Sequence, residues 1–596
     1  MNRFLILILV TISFSLSAQD WRTYYEQSDF KKTPGYEETI EFCNRLAASS
    51  PIANMSGIGS SPQGRAIPMM IIDRDGLTTP EAIRAKGRVI VLIQACIHAG
   101  EPDGKDAMMV LLRDILINKK HKNLLEKSSI VFIPILNVDG HERFGPYNRI
   151  NQNGPDEMGW RTNASNLNLN RDFLKADALE MQHWLKFYSK WLPEFFVDIH
   201  TTDGADFQYA LTYDTEIYGT LDSGITRWLK NIYEPRITSK MKESGFPIFP
   251  YVQFRNWHDP RSGLRTGAAP PMISQGYAAL QNRPALLIET HMLKDYKTRV
   301  DATIQMLVHT LFIVNHQAES LKTLIDMADK STASPAFRKQ EYILKWVTSK
   351  TDSTMIDFEG FDYKNIKSDL TGGDWFIYDN TKPLTMKLPF FNKTIPSSKT
   401  MLPEAYIIPA EWTEVISRLK LHGIKMDLLT QPTEVKVKSY KFRDFDFRKT
   451  PNEGRHMVTT EVDEIEEIRV FPAGSAIVHT NQRTAKVIAG ILEPLAPGSF
   501  VEWGFFNAVF EQKEYSETYV METMAREMLE KDPEVKKAFE AYKLKNPDSV
   551  KRQWDILNWF YSQTPYWDKN FLKYPVGKIN EPAIINQLRK VSAPNL

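Results

Sequence analysis

His98-Ala-Gly-Glu101 follows an apolar β-branched run, Arg88-Val-Ile-Val-Leu-Ile-Gln-Ala-Cys-Ile97. A run of that kind reads as a strand buried on both faces, which ends at the rim of a parallel sheet. Imidazole nitrogen and carboxylate oxygen are good zinc ligands, and a His and a Glu in one tight turn can face one ion. His-x-x-Glu occurs by chance in many chains of this size, so the argument needs a third ligand. His200 supplies a candidate, closing a second apolar strand, Phe195-Phe-Val-Asp-Ile-His200. His98, Glu101 and His200 give two nitrogens and one carboxylate, with a position left for water. That is the ligand set of hydrolytic zinc sites. It lowers the pKa of water toward ~7.

Between the ligands lies Gly159-Trp-Arg161-Thr-Asn-Ala-Ser-Asn-Leu-Asn-Leu-Asn170-Arg171-Asp-Phe173, polar and loop-like. Arg offers a planar fork that matches a carboxylate, and Asn adds a neutral donor. Further on, Pro284-Ala-Leu-Leu-Ile-Glu289-Thr-His291 places Glu289 after a buried run. Desolvation there raises a carboxyl pKa, as suits a group that takes a proton from water and later returns it. His291 is a competing ligand candidate. It ranks below His200, because Glu289 and His291 would both have to stay inward through the turn.

In this order the elements resemble the zinc carboxypeptidase family of the carboxypeptidase A type. They stand as His98–Glu101, Asn137-Val-Asp-Gly140, Trp160-Arg161, Asn170-Arg171, His200 and Glu289, over roughly residues 30 to 320. The resemblance implies an α/β/α sandwich around a mixed, mostly eight-stranded sheet. It implies one zinc ion held by His98, Glu101 and His200. It also implies hydrolysis of C-terminal peptide bonds, with Glu289 as general base and Arg161 on the scissile carbonyl. Asn170 and Arg171 would bind the free C-terminal carboxylate of a peptide or peptide-like substrate. Three departures stand out. Asn168 replaces the Asp that orients the first zinc His in the family, and Asp198 is placed to compensate. Arg149 competes with Arg161 for its role. Tyr277 lies nearest the position of the family's substrate-covering Tyr.

The positioning elements alternate. Val89–Ile97, Ser129–Leu136, Phe195–Ile199 and Ala285–Ile288 read as strands, and Asp103–Leu116, Ala178–Trp191 and Ala302–Ser320 as helices. This is the α/β pattern. Asn137–Gly140 reads as a turn. Residues 19–327 form the catalytic domain on this reading, and Ala328–Pro335 a linker. Residues 336–596 read as an α+β region of one or two subdomains without a catalytic motif. There Tyr406–Leu429 looks like one strand–helix–strand unit, and residues 516–562 look helical. Trp375, Trp412 and Trp503 read as core rather than as a sugar-stacking surface.

The length of 596 residues calls for more than one core. A formal net charge of +1 with dispersed Lys and Arg gives no footprint for nucleic acid. Arg3, the apolar stretch Phe4–Phe14 and the small residues Ser15–Ala18 read as a signal peptide, residues 1–18. Its apolar stretch is short against the ~20 residues that span a bilayer. The mature chain is therefore expected to be exported, periplasmic or secreted, with no membrane span. Cys43 and Cys96 read as buried thiols rather than a disulfide. Two other functions share the same residues: a zinc amidase acting on peptidoglycan stem peptides or another carboxylate-bearing amide, and a catalytically inactive binding protein on this fold.

Overall fold

A computed structural model describes residues 20–593, so the signal segment expected at residues 1–18 lies outside the described residues. Ten strands fall in the N-terminal half: β1 Ala53–Ser60, β2 Ala66–Ile72, β3 Val89–Gln94, β4 Ser128–Ile133, β5 Phe195–Thr202, β6 Leu211–Asp214, β7 Phe249–Pro250, β8 Gln253–Asn256, β9 Asp259–Arg265 and β10 Ala285–His291. Eight of them form one mixed sheet in the order β1-β2-β4-β3-β5-β10-β6-β7. The central strands β4, β3, β5 and β10 run parallel. Every residue of β3, β4 and β5 is buried. Their Val, Ile and Phe runs have no solvent-facing side because the sheet is covered on both sides. Helices such as Asp103–Leu116, Leu179–Trp191 and Tyr296–His316 provide that cover, and their apolar residues join the core of the sheet.

The second half adds strands β11 Glu341–Thr348, β12 Thr354–Lys367, β13 Asp374–Phe391, β14 Thr394–Met401, β15 Ala405–Ile408, β16 Asp427–Leu429, β17 Thr433–Phe447, β18 Val458–Phe471, β19 Ala476–His479, β20 Gly577–Ile579 and β21 Lys590–Ser592. Seven of these form a sheet in the order β18-β17-β20-β15-β19-β16-β21. The strand–helix–strand unit read from Tyr406–Leu429 is β15, the helix Thr413–Leu421 and β16. Residues 516–562 are largely helical, as Thr518–Lys531, Pro533–Lys545 and Gln553–Ser562.

Two local expectations change. Ala328–Ala333 is not a linker but the end of the helix Ala318–Ala333, which breaks at Ser334-Pro335. Small residues such as Ala328 and Thr332 face the core there, so packing overrides their weak helix signal. Val138–His141 is one turn of helix rather than a bare turn. The side chain of Asn137 caps it, accepting from Gly140 N at 3.0 Å.

The halves are not separate bodies. Strands β8 and β9 of the first half continue into β12 and β13 of the second as one four-stranded sheet, order β12-β13-β9-β8. Phe207, Tyr209 and Leu264 share a core with Phe358, Leu388 and Phe390. The main core also runs from Tyr277 and Tyr188 into Leu419, Leu421 and Val487. Cys43 and Cys96 are buried and free. Among the described residues no helix is long and apolar enough to cross a membrane.

Candidate active site

The chain leaves β3 at Gln94, and Cys96, at φ 55°, turns it sharply toward His98. The backbone closes with Glu101 N donating to His98 O at 3.0 Å, just before the helix that begins at Asp103. His200 arrives on β5, next to β3 in the sheet. Both ligand-bearing segments therefore leave the same edge of the parallel strands, where α/β folds build sites. His98 Nδ1 lies 3.2 Å from the Glu101 carboxylate and 3.2 Å from His200 Nδ1, and His200 Nδ1 lies 3.0 Å from Glu101. Tetrahedral ligands at ~2.0 Å from a zinc ion sit about 3.3 Å apart, so the spacing fits. All three residues are buried.

The far nitrogens are tied down. His98 Nε2 meets Asn168 Oδ1 at 2.9 Å, and His200 Nε2 meets Asp198 Oδ2 at 2.9 Å. Gln94 in turn donates to the other oxygen of Asp198 at 2.9 Å. These contacts point both Nδ1 atoms inward, as a pair of histidine ligands requires. Burial pushes His98 down to about 4, so its ring is neutral and able to ligate. Burial also opposes charge on His200, but Asp198 and Glu101 outweigh it and raise that ring well above its ordinary value. Burial likewise opposes the charge of Glu101, yet His98 and Arg149 hold its carboxyl well below the usual range. Three donors that converge, one of them a carboxylate held in its charged form, make a fitting cradle for a divalent ion. Among the described residues they are the one such group of His, Cys, Asp and Glu side chains.

A cavity of about 700 Å³ opens over this cluster. Glu289 reaches it from β10, directly across the ladder from His200. The side chain keeps some access to the cavity. Protein atoms crowd it elsewhere, and that burial, with help from Glu101, pushes its carboxyl up to about 8 against the opposing pull of His200.

Residues 39–223 match the family model of the zinc carboxypeptidases. Carboxypeptidase 2 of Trichophyton rubrum is 25% identical over 497 residues, covering 80% of this chain and 85% of that protein. Residues 39–223 of the present chain thus carry a zinc carboxypeptidase domain. The chain is a metallocarboxypeptidase, a hydrolase. Solved structures that match part of the chain include the carboxypeptidase A of Helicoverpa armigera (TM-score 0.36, 16% identity, 49% of this chain and 74% of that one). Another is a metallo-carboxypeptidase of Burkholderia cenocepacia (TM-score 0.35, 16% identity, 47% and 69%).

The carboxypeptidase cavity takes in His98, Glu101, Arg161, Asn170, Arg171, His200 and Glu289 together. Arg149 lines it as well, so the two candidate arginines are not exclusive. Arg149 pairs with Glu101 at 2.9 Å and Arg161 with the same carboxylate at 3.3 Å. Gly100 makes room for this, since a Cβ there would lie 2.9 Å from Arg149 Cγ. Asp198 does not replace Asp at position 168: it orients His200, and the neutral Asn168 orients His98.

Tyr277 is a correction. Its ring is buried among Phe173, Trp184 and Tyr188, and its hydroxyl meets His422 at 2.8 Å and Gln281 at 2.7 Å. The helix Ser274–Leu280 turns that side chain into the core, away from the cavity. His291 does not join the ligands either. It sits 3.4 Å from Asp206 and accepts from Phe207 N.

Among the residues that escaped the sequence reading are Tyr251 and Gln275 and, behind Gln275 and outside the cavity lining, Asp214. Tyr251 and Gln275 line the cavity. Asp214 lies directly across from Leu287 on the face that carries Glu289 and accepts from Gln275 at 2.9 Å. Burial, with Glu216 nearby, pushes its carboxyl up to about 8. The available signal was the period of two along β10, which places Leu287 under Glu289.

Proposed function

We propose that the chain is an exported zinc carboxypeptidase that releases single C-terminal residues, with a preference for basic ones. The convergence of His98, Glu101 and His200 beneath Glu289 carries the reading. The donor set of two imidazoles and a carboxylate suits zinc. Zinc bound there supplies Lewis acidity toward water and a carbonyl oxygen.

The remaining steps belong to the chain. Arg171, with Asn170 beside it, takes the free carboxylate of the substrate. An internal peptide bond has no such group, so the fork selects a chain end. Arg161 donates to the scissile carbonyl oxygen, where negative charge grows only in the transition state. Glu289 takes a proton from the attacking water as its oxygen adds to the carbonyl carbon. It then gives that proton to the leaving nitrogen as the C–N bond breaks. A carboxyl raised by burial is matched to that exchange.

The floor supports the preference for basic residues. Gln275 lines the cavity along with Leu287 and donates to the buried Asp214 carboxyl behind it, so displacing that amide would bring a basic side chain to a carboxyl group. A cation there would draw the proton from Asp214 and gain a charge-assisted hydrogen bond. Export is supported by the sequence of residues 3–18 alone.

The test is mass spectrometry of a mixed peptide pool incubated with residues 19–596, with and without a zinc chelator. Chelator-sensitive loss of C-terminal Lys and Arg ahead of Phe and Leu is expected. Chelator-sensitive loss with the opposite preference removes the Asp214 reading. Cleavage confined to cell-wall peptides favours the amidase, and a chain that neither cleaves peptides nor holds zinc favours the binding-protein reading.

A further inference from the structure

One of the contacts of the second half of the chain with the first lies next to the site. Strands β17 and β18 form a long hairpin whose tip is Asn452-Glu453-Gly454-Arg455. Asn452 N donates to Arg455 O at 2.9 Å, and Arg455 N donates to Asn452 O at 3.0 Å. Glu453 and Gly454 both have positive φ, 48° and 76°. This is a two-residue hairpin turn with both central residues left-handed, which favours Asn, Asp or Gly. Gly454 obeys that preference and Glu453 does not. A non-glycine residue held in this region persists where the surroundings over-determine it, and such strain clusters at functional sites.

The side chain of Glu453 supplies the reason. Its Oε2 accepts from the backbone N–H of Asn168 at 2.8 Å. Asn168 begins the short turn Leu169–Arg171, and its own Oδ1 accepts from Asn170 N at 3.0 Å and meets His98 Nε2 at 2.9 Å. One carboxylate from the second half thus fixes the residue at which the His98 contact and the Asn170-Arg171 turn meet.

Docking alone does not call for Glu453. Arg455 already anchors the tip through two hydrogen bonds to Asp177, both 2.7 Å, with its guanidinium 3.7 Å from the Phe505 ring centre. A glycine at 453 would relieve the backbone and leave that anchor whole.

We propose that Glu453 is a positioning residue, contributed by the C-terminal region, that holds the Asn168–Arg171 turn in the geometry that receives the substrate carboxylate. This rests on the roles proposed above for Asn170 and Arg171. It makes the C-terminal region part of the site rather than an appendage.

The test compares full-length Glu453→Gly and Glu453→Gln with the wild type. The readouts are the thermal midpoint, amide exchange across residues 163–173, and KM and kcat on a peptide ending in Lys. Glu453→Gly is expected to keep or raise the midpoint, because glycine suits positive φ. Exchange across residues 163–173 should quicken about 10-fold as the turn loosens. KM should rise about 5-fold with kcat nearly unchanged, the mark of lost substrate binding. Glu453→Gln keeps an acceptor oxygen and should restore all three values. Unchanged exchange in Glu453→Gly overturns the proposal whatever the activity. So does quicker exchange with an unchanged KM, or a KM change that merely follows a lowered midpoint. A wild type without peptidase activity would instead refute the proposed function, and the exchange readout would still decide whether Glu453 holds the turn.

Discussion

Asn168 and His98 are joined by a neutral contact, Oδ1 to Nε2 at 2.9 Å, where His200 enjoys a carboxylate at the same distance. The two imidazoles are therefore unequal. An amide oxygen fixes a ring's orientation but lends it less basicity than a carboxylate does. We expect Asn168→Ala to weaken zinc retention by about 10–100-fold, the usual effect of losing an outer partner. Competition against a calibrated chelator measures this. Retention equal to the wild type would remove Asn168 from the metal site.

Glu289 is the one carboxylate of the cavity placed across the ladder from a proposed ligand without being one. Glu289→Gln keeps size and hydrogen bonding but holds no proton to exchange. We expect kcat to fall by about 10²–10⁴-fold, the range that general acid–base catalysis contributes. Zinc content and thermal midpoint should stay at wild-type values. A variant with more than half of the wild-type kcat would assign the proton transfer elsewhere.

Much of this was legible in the sequence because burial and chemistry alternate along the same strands. Apolar runs ending in His98, His200 and Glu289 announced a sheet edge, and the family resemblance supplied the order. What stayed hidden depended on side-chain direction. Tyr277 lies twelve residues before Glu289 in the sequence, but the helix that carries it turns its ring into the core. Asp214 ends a strand of four residues that shows no pattern by itself, and only its register against Leu287 places it. Glu453 lies 285 residues from Asn168 and reaches it through a hairpin that the sequence reading did not identify. Ala328–Ala333 failed as a linker for a related reason: small polar residues serve a helix well when a core covers them.

Asp214 allows the proposed specificity and the stability of the fold to be tested with one variant. Its carboxyl is raised in the folded chain to about 8, first by burial. The folded state therefore binds its proton more tightly than the unfolded state. That contribution is complete below the unfolded value of about 4 and is lost as pH rises toward 8. Replacing Asp214 by Asn removes this loss. We expect Asp214→Asn to gain stability relative to the wild type as pH rises from 5 to 8, read from paired urea unfolding curves. The same variant should lose preference for Lys over Leu at the chain end. A stability difference independent of pH would show that Asp214 ionises normally in the fold.

His422 links the halves through the core beneath the site. Its Nδ1 meets the Tyr277 hydroxyl at 2.8 Å, and its Nε2 meets Leu174 O at 3.0 Å. Burial pushes the ring down to about 4, so it is neutral and serves one partner as donor and the other as acceptor. His422→Ala strips both partners inside a packed core. We expect a loss of about 1–3 kcal/mol for each buried group left unpaired, on top of the cavity created. A chain ending near Lys330 loses far more: β12 and β13 beside β9, the cover over Tyr277, and the Glu453 contact. We expect that truncation to expose apolar core and aggregate. A soluble, cooperatively folded fragment with unchanged turnover on peptides of every length would show instead that the C-terminal region is dispensable, and would separate the two halves that the shared sheet and core join here.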